Sequence, residues 1–167
     1  MNKFLEDIRS FHRKFGLPNR KKAGFIERDY MKMRLNFLME ELTELATSCG
    51  FYFHDGLKQF VPSNKRGRVN DLEGALDALV DLQYVLLGTA YLMGMFNEKR
   101  VVMEVEEGHT TSLCPVNVTI FEEAWRRVQA ANMTKVRARR KSDSKRDSTF
   151  DVVKPEGWKP PQLGELL

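Results

Sequence analysis

Three glutamates within five residues, Glu40, Glu41 and Glu44, and two aspartates four apart, Asp77 and Asp81, have the types and spacing that chemistry would need. On a helix, Asp77 and Asp81 share one face, with Glu73 one turn earlier; between Leu76 and Leu87 only Gln83 and Tyr84 are otherwise polar. A carboxylate buried without a partner costs several kcal/mol, so a basic side chain, a proton or a metal ion must compensate it. The segment offers no Lys or Arg between Asp71 and Asn97. Brought against Glu41 and Glu44, these aspartates form an all-oxygen cluster, a donor set that suits Mg²⁺ or Mn²⁺ rather than zinc. The competing arrangement salt-bridges the aspartates to Arg34 or another base. Taken alone, the glutamates read more readily as a solvated acidic face.

The elements that must position these residues are mostly helical. Phe4, Ile8, Phe11 and Phe15 recur at helical spacing and predict a first amphipathic helix, ended by Gly16, Pro18 and Asn19. A second helix is expected over 26–48, with Met31, Leu35, Leu38, Leu42 and Leu45 on one stripe and Gly50 as its stop. Residues 51–70 read as a loop punctuated by Gly56, Pro62 and Gly67. A third helix over 71–95 is apolar almost all round, which predicts burial on most sides. Short strands are expected over 101–105 and 116–118, as a hairpin between helices. Thr119 and Glu122 have the spacing of a capping box and open a fourth helix reaching about Ala138. Phe121, Trp125, Val128, Asn132 and Lys135 then share a stripe that begins apolar and ends in an amide and an ammonium, the two things a nucleotide pocket needs. The closing Lys154-Pro155-Glu156-Gly157-Trp158-Lys159-Pro160-Pro161 excludes regular helix. The expected organisation is a helical domain over 1–140 and a polar, Pro-rich tail over 141–167 packing on it.

The 167 residues suit one domain with a sizeable core. Hydrophobic residues at 42% and charged residues at 30% exclude neither enzyme nor binding module, and no apolar run suggests a membrane span. Two cysteines make no disulfide framework and the first residues do not resemble a signal peptide, so a cytoplasmic setting is expected. The net charge of +4 is concentrated in Arg137, Arg139, Arg140, Lys141, Lys145 and Arg146. Such a cluster attracts phosphate, on a nucleotide or a polymer. It supports a rival reading, a nucleic-acid-binding helical protein using 137–146, which leaves Asp77 and Asp81 unexplained. A zinc module on Cys49, His54, His109 and Cys114 is the weaker alternative, because its ligand spacing is loose.

Glu40-Glu41-Leu42-Thr43-Glu44 resembles the Glu-Glu-x-x-Glu signature of the all-α nucleoside triphosphate pyrophosphohydrolases, the MazG-like group that includes phosphoribosyl-ATP pyrophosphohydrolases. Asp81 fits the aspartate of that group's Glu-x-x-Asp element, whereas Ala78 stands at its glutamate and Asp77 is the nearest acid. Asn132-Met133-Thr134-Lys135 is similar to the late Asn-x-x-Lys element, and the Gly157-Trp158-Lys159-Pro160-Pro161 ending to the tail of small, often phage-encoded members. The resemblance implies a four-helix, all-α core carrying a small β-hairpin insertion, assembled as a homodimer or homotetramer. It implies attack of water on the α-phosphorus of a nucleoside triphosphate, releasing pyrophosphate. By it, Glu41, Glu44, Asp77 and Asp81 would hold Mg²⁺, with Mn²⁺ as a substitute, and Glu40 and Glu41 would be catalytic. Asn132 and Lys135 would hold the phosphates, and Phe11, His12, Phe15 and Trp158 would pack against the base. Purine deoxynucleotides such as dGTP or dATP are the expected substrates; neither a membrane nor nucleic acid is an expected partner.

Overall fold

A computed structural model describes residues 3–63, 71–107 and 110–167, with only the strand path described over 101–115. Two compact units divide the chain, Met1–Met95 and Phe96–Leu167. His109 lies outside the described residues, so the four-residue zinc set is not described as a group.

The first unit contains α1 (Lys3–Lys14), α2 (Arg28–Ser48), the strands β1 (Phe51–His54) and β2 (Gln59–Pro62), and α3 (Leu72–Leu92). Glu27 caps α2, its carboxylate accepting from the backbone N–H groups of Asp29 and Tyr30 at 3.1 and 3.2 Å. Gly50, at φ +78°, follows the last turn and stops the helix as expected. Asp71 caps α3 by accepting from the Gly74 N–H at 2.9 Å, and its own N–H donates to the Ser48 carbonyl at 3.1 Å. The end of α2 is thereby tied to the start of α3, and the two helices pack together as an antiparallel pair, with α1 against α3.

Three expectations for this unit need correction. Residues 51–70 are not simply a loop, because Phe51–His54 pairs antiparallel with Gln59–Pro62, and the turn-forming Gly56 sits at the hairpin tip. On α1 the buried stripe is Leu5, Ile8 and His12, while Phe4, Phe11 and Phe15 lie on its exposed flank. The helix α3 is not buried on most sides: Ala75, Ala78, Leu87, Tyr91 and Leu92 face inward, but Leu72, Leu76, Leu79, Val80 and Leu86 are exposed. Length and mean hydropathy would let α3 cross a bilayer, contrary to the expectation from the sequence. Glu73, Asp77 and Asp81 along it, together with its packing on α2 and α1, mark it as the central helix of a bundle instead.

The second unit holds β3 (Glu98–Glu107), β4 (Thr110–Thr119), α4 (Ile120–Met133), β5 (Val136–Arg137) and β6 (Val152–Val153). The expected hairpin is present and longer than the sequence suggests, pairing Val101 with Val116 and running from Glu98 opposite Thr119 to Glu107 opposite Thr110. The capping box opens α4: the Thr119 hydroxyl accepts from the Glu122 N–H, and the Glu122 carboxylate accepts from the Thr119 N–H. This helix ends at Met133 rather than near Ala138, because Val136 and Arg137 pair with Val153 and Val152. Lys135 therefore sits beyond the helix and off the stripe that ends at Asn132. The C-terminal segment is anchored to α4 by the Trp158 indole N–H, which donates to the Ala131 carbonyl at 3.0 Å.

Candidate active site

Within the first unit, the α2–α3 seam decides where the acids meet. Arg34 on α2 reaches across to α3, donating from Nη2 to the Val85 carbonyl at 2.7 Å and from Nε to the Thr89 hydroxyl at 3.1 Å. Glu41 lies seven residues beyond Arg34, two turns along the same face of α2, and Asp81 one turn before Val85 on α3. With the helices antiparallel, that register sets Glu41 and Glu44 against Asp81 and Asp77. The electrostatics agree. The Glu41 carboxyl is pushed above its ordinary range, first by partial burial and then by the negative charges of Glu44, Asp81, Glu40 and Asp77.

Glu41 is half-buried, whereas Glu40, Glu44, Asp77 and Asp81 are exposed. The expectation that burial traps Asp77 and Asp81 is therefore corrected: it was the wide exposed flank of α3 that periodicity concealed. Among the described residues no hydrogen bond or ion pair reaches any of the five acids. Arg34, the base that the competing arrangement assigned to them, is committed to Val85 and Thr89 instead.

The second unit shows how the same chain treats a structural acid. Glu123, 3% exposed on α4, receives Arg126 Nε and Nη2 at 2.8 Å and Arg127 Nε at 2.8 Å. Hydrogen bonding from Arg126 is the main cause of its pKa falling to about 2, against the opposing effect of burial and with help from Arg127. A packing role brings two arginines. The seam acids have none.

A hollow of about 580 Å³ lies beside Asp77, walled by Leu76 and Val80 and rimmed by Asp71, Glu73 and Gly74. It is an open depression along the first turns of α3 rather than an enclosed cavity. On the α1 side, Tyr84 stands one turn beyond Asp81 and meets Phe11 edge-on at 5.3 Å between centroids, and Phe11 meets Phe15 at 4.7 Å. Phe11 and Phe15 thus form an exposed aromatic ledge in the same unit as the acids. His12 is turned inward, 2% exposed, against Tyr91 at 4.5 Å, and its Nδ1 has no hydrogen-bond partner. Burial and then the Arg34 charge hold its pKa below the usual histidine value. It packs α1 against α3.

Asn132, Lys135 and Trp158 belong to the second unit. Asn132 is exposed on the last turn of α4, and the Lys135 ammonium stands 5.7 Å from the Trp158 ring centre, with Lys154 at 4.2 Å. The indole is therefore engaged by two lysines and by the Ala131 carbonyl. Gly88 escaped the sequence reading. A Cβ there would stand 2.9 Å from Arg34 Nη2 and 3.3 Å from His12 Nε2, so a larger residue would push the guanidinium out of its present position. Its signal was a lone glycine inside an apolar helix.

The donor set is all oxygen and carries an excess of negative charge, which fits a hard divalent cation. Among the described residues no three acids, histidines or cysteines stand together as a ligating group, so the seam supplies donors rather than a formed cage.

The chain matches the family model described as phosphoribosyl-ATP pyrophosphohydrolase over residues 8–109. That span contains all five seam acids, Arg34 and Gly88, whereas Asn132, Lys135 and Trp158 lie beyond it. No curated protein matches the chain.

Proposed function

The chain belongs to the phosphoribosyl-ATP pyrophosphohydrolase family, and on that premise we propose that it hydrolyses nucleoside triphosphates to monophosphate and pyrophosphate with Mg²⁺. The observation that carries this reading is that Glu41 on α2 feels the negative charges of Glu40 and Glu44 and, from α3, of Asp77 and Asp81, with no basic partner to any of them among the described residues. Membership of the family supports a nucleotide pyrophosphohydrolase in general; the substrate, the metal and the residue roles are our reading.

Glu41, Glu44, Asp77 and Asp81 would hold the ion, which when bound polarises phosphoryl oxygens and makes water more acidic. Glu40 and Glu41, adjacent on α2, are assigned to activating and orienting the attacking water on motif similarity. Water adds at the α-phosphorus, the bond from that phosphorus to the bridging oxygen breaks, and pyrophosphate leaves. The hollow beside Asp77 and the ledge of Phe11 and Phe15 offer apolar surface for the base. Asn132 and Lys135 are assigned to the phosphates on motif similarity alone, and Trp158 to packing near them.

The proposal extends to purine deoxynucleotides, dGTP and dATP, as substrates and to a cytoplasmic homodimer or homotetramer. The exposed Leu72, Leu79 and Leu86 support self-association, since exposed apolar area is costly in water. The deciding assay offers each common ribo- and deoxynucleoside triphosphate, and phosphoribosyl-ATP, with Mg²⁺ and separates the products by ion exchange. Monophosphate with pyrophosphate is expected. Diphosphate with orthophosphate, or no turnover, would remove the proposal.

A further inference from the structure

The basic stretch near the C-terminus is a folded platform. The β5–β6 ladder pairs Val136 with Val153 and Arg137 with Val152, and the Ala138 N–H donates to the Asp151 carbonyl at 3.0 Å, carrying the pairing one step further. The connection between the strands is pinned from inside. Asp143 accepts from the N–H groups of Arg139 and Arg140 at 3.1 and 2.9 Å, and the Ser144 hydroxyl donates to Asp151 at 2.6 Å. Ala138 and Ser144 are buried beneath it.

What this scaffold holds outward is cationic and aromatic. Arg137, Arg139, Arg140, Lys141, Lys145 and Arg146 are all exposed. Arg146 pairs with Asp151 at 2.9 Å and Arg140 with Asp143 at 3.7 Å, but no acid pairs with Arg139, Lys141 or Lys145 among the described residues. Arg137 and Val152 share the ladder face opposite buried Ala138. Two residues beyond Arg137 comes Arg139, and two before Val152 comes Phe150, 87% exposed.

We infer that this hairpin binds single-stranded nucleic acid, with the unpaired cations on the phosphodiester backbone and Phe150 stacking on an unpaired base. Several exposed cations and an exposed ring on one hairpin are what a flexible polyanion with accessible base faces can use. In a duplex the bases are already stacked on one another, leaving Phe150 nothing to cover. Because the loop is already held in place, little ordering opposes binding. This inference stands apart from the pyrophosphohydrolase reading, and the failure of either leaves the other intact.

The test is fluorescence anisotropy of a labelled oligodeoxythymidine of about 20 nucleotides titrated with the full chain. Saturable binding is expected, weakening roughly 50-fold between 50 and 200 mM salt if about four phosphates are neutralised. Phe150→Ala should weaken it about tenfold with the salt slope unchanged. The combined Arg139→Ala, Lys141→Ala and Lys145→Ala protein should lose about two units of that slope. Circular dichroism melts establish that each variant is folded before it is titrated. Absence of saturable binding at 50 mM salt, equal binding by either variant, or a duplex of the same length binding as tightly would each overturn the inference.

Discussion

The Arg34 guanidinium donates to the backbone oxygen of Val85 at 2.7 Å, spending on a carbonyl a charge that the neighbouring seam acids would otherwise attract. Partial burial lowers its pKa, so the group is held out of water without a carboxylate opposite it. That bond fixes the register of α2 on α3, and with it the approach of Glu41 to the charge of Asp81. A seam built for stability alone would pair these charges, as α4 pairs Glu123.

Replacing Gly88 should expose that register. Gly88→Ala sets a methyl 2.9 Å from Arg34 Nη2 and 3.3 Å from buried His12. The arginine tip must move and the Val85 bond lengthen, at a cost of about 1–3 kcal/mol from overpacking and a lost charged hydrogen bond. Urea unfolding measures the loss, and an unchanged midpoint would show that the seam does not depend on this glycine.

Glu41→Gln should separate stability from turnover. Its raised pKa means that the folded chain holds this proton more tightly than the unfolded chain does. That contribution favours folding at low pH and is lost as pH rises from the ordinary carboxylate value through the raised one. At pH 7 the metal-free variant should therefore melt higher than the parent while its pyrophosphate release falls at least about 100-fold. Mg²⁺ should raise the melting temperature of the parent and not of the variant. Retained turnover, or equal response to Mg²⁺, would dissociate Glu41 from the reaction.

Much of this was readable in the chain beforehand. The glutamate triplet, the aspartate pair and the capping box at Thr119 declared themselves because local spacing alone decides which residues share a helix face or a cap. The burial of α3 did not: periodicity shows that Leu76, Leu79 and Val80 are apolar, but not whether a neighbour covers them. The end of α4 is not legible locally because Val136 pairs with Val153 and Arg137 with Val152, 17 and 15 residues away, a pairing that no local window contains. The Arg34–Val85 bond was equally invisible, since a basic residue near acids suggests a salt bridge until its direction is known.

His12 gives the first unit a definite acid response. Its folded pKa lies below the unfolded 6.5, so the neutral ring is favoured in the fold. Stability from this group is full above about 6.5 and declines as pH falls from there toward the lowered value. His12→Leu should remove that part of the slope between pH 7.5 and 5.5, read as the difference between the two proteins in urea midpoints. Parallel midpoints across that range would mean that the ring is hydrated or paired in solution.

The second unit should fail at much lower pH, and for the opposite reason. Glu123 is kept ionised by Arg126 and Arg127, with its folded pKa about 2 against an ordinary 4.5. A depressed acid contributes stability that is complete above the unfolded value and disappears as pH falls through the folded one. The difference corresponds to roughly 3 kcal/mol at neutral pH. Glu123→Gln keeps the shape and removes the charge, leaving two arginines facing each other across a neutral amide. The expected loss is about 2–3 kcal/mol at pH 7, since the buried acceptor gives up its charged hydrogen bonds, while Arg126 is largely exposed and Arg127 keeps Glu165. Near pH 2 the parent has itself become protonated, and the gap between the two proteins should narrow. Unfolding monitored by Trp125 and Trp158 fluorescence reads this unit directly, as both tryptophans lie within it. A gap of the same size at pH 7 and pH 2 would show that the glutamate acts through packing rather than through its charge.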